Sequence, residues 1–162
     1  MTVHRAVEIT SDGVPMDLTE QEIQDLDLAR EAVEGFAAKL LAGALSQEQA
    51  QNIEAAVRSE MSLNSTQKEE HFHANRNIHR TIVAQAGNGI LLDMFDSIWN
   101  RGISIRSFSA YRIPDDTDNR EQHLELLDQI KLGPTVEAEN AMVAHIREGL
   151  HNHVRWLHAE RH

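Results

Sequence analysis

The sequence contains no cysteine and only three prolines, and aromatic residues make up 4% of its 162 positions. Without cysteine, neither disulfides nor thiolate metal sites can form. No apolar run approaches the roughly 18 residues that cross a membrane, and the first ten residues, MTVHRAVEIT, have no apolar signal core. We therefore expect a cytoplasmic protein.

Positive charge is also scarce. The chain has 15 Lys and Arg against 26 Asp and Glu, which gives a formal net charge of −11. Nucleic-acid binding depends on clustered Lys and Arg that neutralise phosphates, so the chain alone is not expected to bind DNA. Its length and its 41% of hydrophobic residues suit one globular domain with a core.

Helical patterns dominate what is present, and no run of β-branched residues with period two competes with them. Capping boxes at Thr19 with Glu22, at Ser46 with Gln49 and at Thr66 with Glu69 predict three helix starts. Together with Gly and Pro signals, the patterns predict helices over residues 19–43, 46–60, 67–86, 89–111, 117–131 and 135–158.

The predicted fold is therefore all-α, an antiparallel bundle of about six helices. We interpret residues 1–17 as a tail or linker remnant, because they lack helical periodicity. Residues 18–160 form one predicted domain.

Polar side chains interrupt the apolar stripes of three predicted helices. Asn75 and His79 are neighbours at i and i+4 on the inward stripe of the third helix. His123 shares the apolar face of the fifth helix, and His145 lies on that of the last one. Each of these helices thus directs one imidazole towards the interior.

Arg30 interrupts the inward stripe of the first helix, whose apolar members are Ile23, Leu26, Val33, Ala37 and Leu40. A guanidinium keeps its charge when buried, so it needs an anionic partner. Asp27 or Glu34 could supply that charge at the edge of the bundle, and an anionic ligand could supply it instead.

A single inward histidine is usually a hydrogen-bonded core residue. Three imidazoles and an amide on inner stripes are harder to explain in this way, because each polar group costs free energy to bury. One divalent metal would recover that cost for all four. The pattern alone leaves a metal site and a polar core as open alternatives.

Four segments carry a resemblance to a known family. Their sequences are LTEQEIQDLDLAREAVEGFAAKLLAGALSQEQ, ANRNIHRTIVAQAGN, EQHLELLDQI and AMVAHI. Their order, with four residues from Asn75 to His79 and twenty-two from His123 to His145, resembles the effector-binding FCD domain of bacterial GntR-family transcription regulators, FadR-type subfamily. The resemblance spans residues 18–158.

The resemblance implies a sensor with one divalent transition metal, zinc or nickel. Its ligands would be Asn75, His79, His123 and His145, where the family more often has Asp at the first position. With Arg30 nearby, neutral ligands would leave the site at about +3 by formal count. That charge would suit a small organic-acid effector, with Arg30 as the effector-binding residue.

The resemblance also implies a homodimer. Regulators of this kind carry a winged helix-turn-helix ahead of the domain, whereas here about 18 residues precede the first predicted helix. We therefore expect contact with DNA only through an N-terminal winged helix-turn-helix that this sequence lacks.

Two other functions stay open from the residues themselves. A small mononuclear metalloenzyme could use the same three-His site, but it would also need a general base. Glu121 and Glu125 flank His123 and point away from its face. A structural bundle without a ligand is the other alternative. A sensor, and not an enzyme, is the favoured interpretation.

Overall fold

The computed structural model describes residues 19–101 and 118–159, and within them all regular structure is helical. One continuous helix comprises α1 (Glu20–Arg30), a π-helical turn (Glu31–Gly35) and α2 (Phe36–Ala42). It is followed by α3 (Gln47–Met61), α4 (Lys68–Gln85), α5 (Gly89–Trp99), α6 (Asp118–Leu132) and α7 (Thr135–Ala159). The predicted all-α bundle of about six helices is confirmed. The prediction of a fourth helix over residues 89–111 is wrong in its extent, because the helix ends at Trp99 and is followed by a turn at Asn100 and a bend at Arg101. The predicted tail over residues 1–17 and the close of the domain at residue 160 lie outside the described residues.

Two of the predicted capping boxes are confirmed and one is wrong. The Thr19 and Ser46 side chains accept hydrogen bonds from backbone N–H groups three residues later and receive a reciprocal bond. The third box fails because α4 begins at Lys68, after Gln67, whose side chain makes no cap. The Ser65 hydroxyl accepts the Gln67 N–H instead, at 3.1 Å, and this local turn sets the start of α4.

Two clusters of buried apolar side chains hold the helices together, and α4 belongs to both. The larger lies among α2, α3, α4, α6 and α7 and includes Ile53, Ile78, Ile82, Ile130 and Met142. The smaller joins the first helix and α4 to α5 and includes Val33, Phe72, Val83, Phe95 and Trp99. Polar residues on the inner face of α4 therefore lie deep in the bundle. No helix of the described segments is both long and apolar enough to cross a membrane.

The π turn changes which residues of the first helix face inward. A regular helix would continue the predicted stripe to Leu40, but Leu40 is 39% exposed, whereas Glu34 and Leu41 are buried. A π turn holds one extra residue, so each later side chain takes the direction expected one position earlier. The predicted burial of Leu40 is therefore wrong, and a carboxylate occupies the interior instead.

Gly35 ends this π turn where α7 comes close. A Cβ atom at Gly35 would lie 3.2 Å from Cγ2 of Val143. Glycine thus permits the close approach that brings α7, and with it His145, to the first helix.

Candidate metal centre

Three imidazoles from three helices meet in the centre of the bundle. They are His79 of α4, His123 of α6 and His145 of α7, and one nitrogen of each lies within 4.8 Å of those of the others. The Nε2 atoms of His79 and His145 are 3.3 Å apart. The structure therefore brings together the three histidines that the sequence placed on separate inner stripes.

Buried carboxylates hold the outer nitrogens of two of these rings. Nδ1 of His79 lies 2.6 Å from Oε2 of Glu34, and Nδ1 of His123 lies 2.8 Å from Oε2 of Glu60. An ionised carboxylate only accepts hydrogen bonds, so each Nδ1 must donate, and each Nε2 keeps its lone pair. Both lone pairs are thereby available towards the centre.

His123 supplies the test of whether a metal fits. Its Nε2 atom is buried and has no hydrogen-bond partner among the described residues. Buried polar atoms are rarely left without a partner, and a cation bound there would satisfy this one. Two nitrogens bound to one tetrahedral zinc at about 2.0–2.1 Å lie about 3.3–3.4 Å apart, close to the separation of His79 and His145. The donors present therefore fit a transition metal, around which nitrogens up to 4.8 Å apart would have to move closer together.

Asn75, the fourth predicted ligand, lies one turn before His79 on α4 and is half-buried. Residues at i and i+4 share a helix face, so its amide is on the side of His79. Its part in metal binding stays a prediction.

Arg30 lies beside the centre and is connected to His79 through Glu34. Its Nε atom donates to Oε1 of Glu34 at 2.9 Å, and Nη1 donates to Oδ1 of Asp27 at 3.3 Å. The guanidinium also lies over the ring of Trp99, 4.5 Å from the centroid, and the indole N–H donates to Glu34. The ion pairs considered from the sequence are thus present, and the contact of Arg30 with an effector stays a prediction.

The ionisation of the centre follows from burial and these pairs. Burial acts to raise the pKa of Glu34, but Arg30 and His79 outweigh it and hold that pKa well below its ordinary value. Burial lowers the pKa of His79, partly offset by Glu34, and lowers that of His145 further. Neutral imidazoles beside an ionised carboxylate are suited to bind a cation.

Sequence reasoning considered Glu34 only as a partner of Arg30 at the edge of the bundle, and it missed Glu60. Glu34 and Glu60 place negative charge beside the imidazoles, and Asp27 pairs with Arg30, so the formal charge of about +3, which was counted without these carboxylates, is too high. A signal existed for Glu60, because it continues the buried stripe of Ile53 and Val57 on α3. Glu121 and Glu125, considered earlier beside His123, are both exposed.

The family model of the FCD domain matches residues 25–148. This chain belongs to the FCD domain family. No curated protein sequence matches this FCD domain.

Three solved structures are similar to this FCD domain. The metal-free FCD domain of TM0439 is 18% identical, with a TM-score of 0.64, and the alignment covers 88% of this chain and 99% of that one. Streptococcus agalactiae GntR is 20% identical, with a TM-score of 0.63 and coverages of 88% and 68%. A GntR-family transcriptional regulator from Pseudomonas syringae pv. tomato str. DC3000 is 16% identical, with a TM-score of 0.68 and coverages of 96% and 65%. At these identities the similarity establishes the shared fold, and the chain spans about two thirds of the two GntR chains.

Proposed function

We propose that this FCD domain is the metal-dependent sensor of a small carboxylate in a GntR-family transcription regulator. The observation that carries the proposal is the buried Nε2 atom of His123, which has no hydrogen-bond partner in the described part of the chain, beside the paired nitrogens of His79 and His145. A cation held by these nitrogens gives the bundle an anion-binding centre. Family membership supplies the regulatory context.

The proposed metal is one divalent transition ion, with zinc or nickel the best suited. Imidazole nitrogens favour such ions over magnesium or calcium, which prefer oxygen ligands. His79, His123 and His145 would hold it, with the amide oxygen of Asn75 as a fourth donor. When bound, the ion offers further coordination positions to a carboxylate.

Arg30 is the proposed second contact of the effector. Three of its five N–H donors serve Glu34 and Asp27 in the structure. Two donors are left, and Glu34 connects the guanidinium to His79. An effector carboxylate that reaches both the metal and Arg30 would gain charge-assisted hydrogen bonds.

Metal content tests the first part of this proposal. Protein stripped with a chelator should bind about one zinc or nickel ion per chain in calorimetry, and His79→Ala or His145→Ala should abolish tight binding. His73→Ala is the matched control, because His73 lies on the same helix and its side chain is 61% exposed. No metal binding by the wild type, or equal loss in the control, would reject the metal centre and favour a structural bundle.

A library of small carboxylates tests the sensing part. A true effector should raise the melting temperature of the metal-loaded protein in proportion to ligand concentration and affinity, and Arg30→Ala should weaken this response. A shift that is equal in metal-free protein would argue against the metal as its site.

A three-His metalloenzyme is the alternative that the same screen addresses. Catalysis would need a base beside the metal, but Glu34 and Glu60 are both bonded to the outer nitrogens of histidines. Their carboxylates therefore do not face the open side of the centre. Chemical turnover of a stabilising compound would overturn the sensing proposal.

The proposed regulator is a homodimer with a DNA-binding domain. Leu28, Phe36 and Leu40 are exposed apolar residues of the first helix, and we propose that a second copy covers them. Light scattering should then show a dimer that Phe36→Glu dissociates and the control Leu132→Glu leaves intact. Contact with DNA would belong to a winged helix-turn-helix of the regulator, and such a role would place the protein in the cytoplasm.

A further inference from the structure

We infer that Glu34 and Glu60 are positioning residues for the metal: they aim two of its imidazole ligands and supply the negative charge that the ligands themselves lack. This inference rests on the proposed metal centre. The two carboxylates come from different elements, the π turn and α3, and both are buried. Each contacts one histidine, so they act on the centre from two sides.

The first effect is on the tautomer of each ring. A neutral imidazole has one protonated nitrogen and one lone pair, and the partner of one nitrogen decides which is which. Glu34 and Glu60 require the proton at Nδ1 of His79 and His123. The Nε2 lone pairs are then fixed towards the centre before any metal arrives.

The second effect is electrostatic. Asn75 is a neutral donor, so the proposed ligand set has no charge with which to offset a divalent ion in a buried site. Carboxylates bonded to the outer nitrogens make imidazoles stronger donors and bring negative charge next to the ion. They would compensate for the missing ligand carboxylate.

The two carboxylates differ in the number of other groups that they bond. Glu34 also accepts hydrogen bonds from Arg30 and Trp99, so its replacement would disturb the packing of the first helix and α5. The side chain of Glu60 bonds His123 alone among the described residues. Glu60 is therefore the cleaner position for an experiment.

His145 provides an internal comparison. The described residues give it no carboxylate partner, and its Nε2 lies 3.3 Å from that of His79. Because His79 presents a lone pair there, His145 must donate its Nε2 proton in the metal-free protein. Its tautomer should thus be opposite to that of the two anchored rings.

Zinc affinity of Glu60→Gln tests the inference. Glutamine keeps the shape and can still accept the Nδ1 proton, but it removes the charge, so affinity should fall about 10- to 100-fold. Glu54→Gln is the matched control, because it makes the same charge change on α3, where Glu54 pairs with Arg58 at the surface. This control should bind zinc within about threefold of the wild type, well below the loss expected for Glu60→Gln.

Nitrogen-15 NMR of the histidines in metal-free wild-type protein gives a second readout that needs no variant to fold. His79 and His123 should be protonated at Nδ1 and His145 at Nε2. In Glu60→Ala, His123 should lose its preference for Nδ1 while His79 keeps it.

The outcomes separate the two proposals. If the wild type binds zinc but Glu60→Gln binds as tightly as the Glu54 control, the inference is overturned and the metal centre stands. Protonation of His123 at Nε2 in the wild type would also overturn it. If the wild type binds no metal, the metal centre fails and the inference fails with it.

Discussion

Replacing Glu34 with Gln should destabilise the metal-free protein more than any surface charge change. Glu34 is fully buried and accepts hydrogen bonds from Arg30, His79 and Trp99. Of the two carboxylates that pair with the guanidinium within residues 19–101 and 118–159, the variant would leave Asp27. Removing one member of a buried ion pair typically costs about 3–5 kcal/mol, because the remaining charge stays buried. At about 2–4 °C per kcal/mol for a chain of this size, the melting temperature should fall by roughly 6–20 °C.

Urea unfolding in the presence of a chelator, followed by circular dichroism at pH 7, measures this loss. Glu139→Gln is the control, since Glu139 pairs with Lys39 at 2.8 Å while both side chains are about one-third exposed. Such surface pairs contribute roughly 0.2–1 kcal/mol. A loss for Glu34→Gln no larger than for Glu139→Gln would refute the view that this carboxylate neutralises a buried network.

Three further predictions concern the site and the core. Burial raises the pKa of Asp27 to about 6 from 3.8, so folding binds its proton more tightly. The stability from protonated Asp27 should be complete below about pH 4 and lost as the pH rises through about 6, and it amounts to roughly 3 kcal/mol at 1.36 kcal/mol per pKa unit. The free energy of unfolding of Asp27→Asn in urea should lack this pH dependence. The same pH profile in the variant and the wild type would contradict the prediction. Asn75→Asp should raise zinc affinity in calorimetry by adding an anionic donor, and unchanged affinity would remove residue 75 from the ligand set. Ile130 is fully buried, so Ile130→Ala should lower the free energy of unfolding by about 2–5 kcal/mol in thermal unfolding without changing the zinc stoichiometry. A loss of metal in this variant would mean that the core and the centre are coupled.

The helices were predictable because their ends are encoded locally. The reciprocal bonds of Thr19 with Glu22 and of Ser46 with Gln49 need only residues three apart. The same pattern at Thr66 failed: α4 begins at Lys68, and the Ser65 hydroxyl accepts the Gln67 N–H. The sequence alone does not show which of two neighbouring hydroxyls, that of Ser65 or that of Thr66, accepts a hydrogen bond from the backbone.

The sequence predicts that three histidines converge, because His79, His123 and His145 each lie on the apolar stripe of a helix and these stripes pack into one core. The position of Glu34 in the interior, rather than at the edge of the bundle, was not predictable. Regular helical periodicity directs position 33 inward, and only the π turn brings Glu34 in with it. No local pattern in the sequence marks that turn, because the close contact between Gly35 and α7 is a tertiary feature. Glu60 could have been found from its stripe, but a charged residue is usually exposed.

Anomalous diffraction from crystals of the protein loaded with zinc is the most direct test of the central claim, that three imidazoles bind one metal ion. We predict a single peak about 2.0–2.1 Å from a nitrogen of each of His79, His123 and His145. Absence of that peak, or a peak held only by exposed side chains such as His73, would contradict the claim.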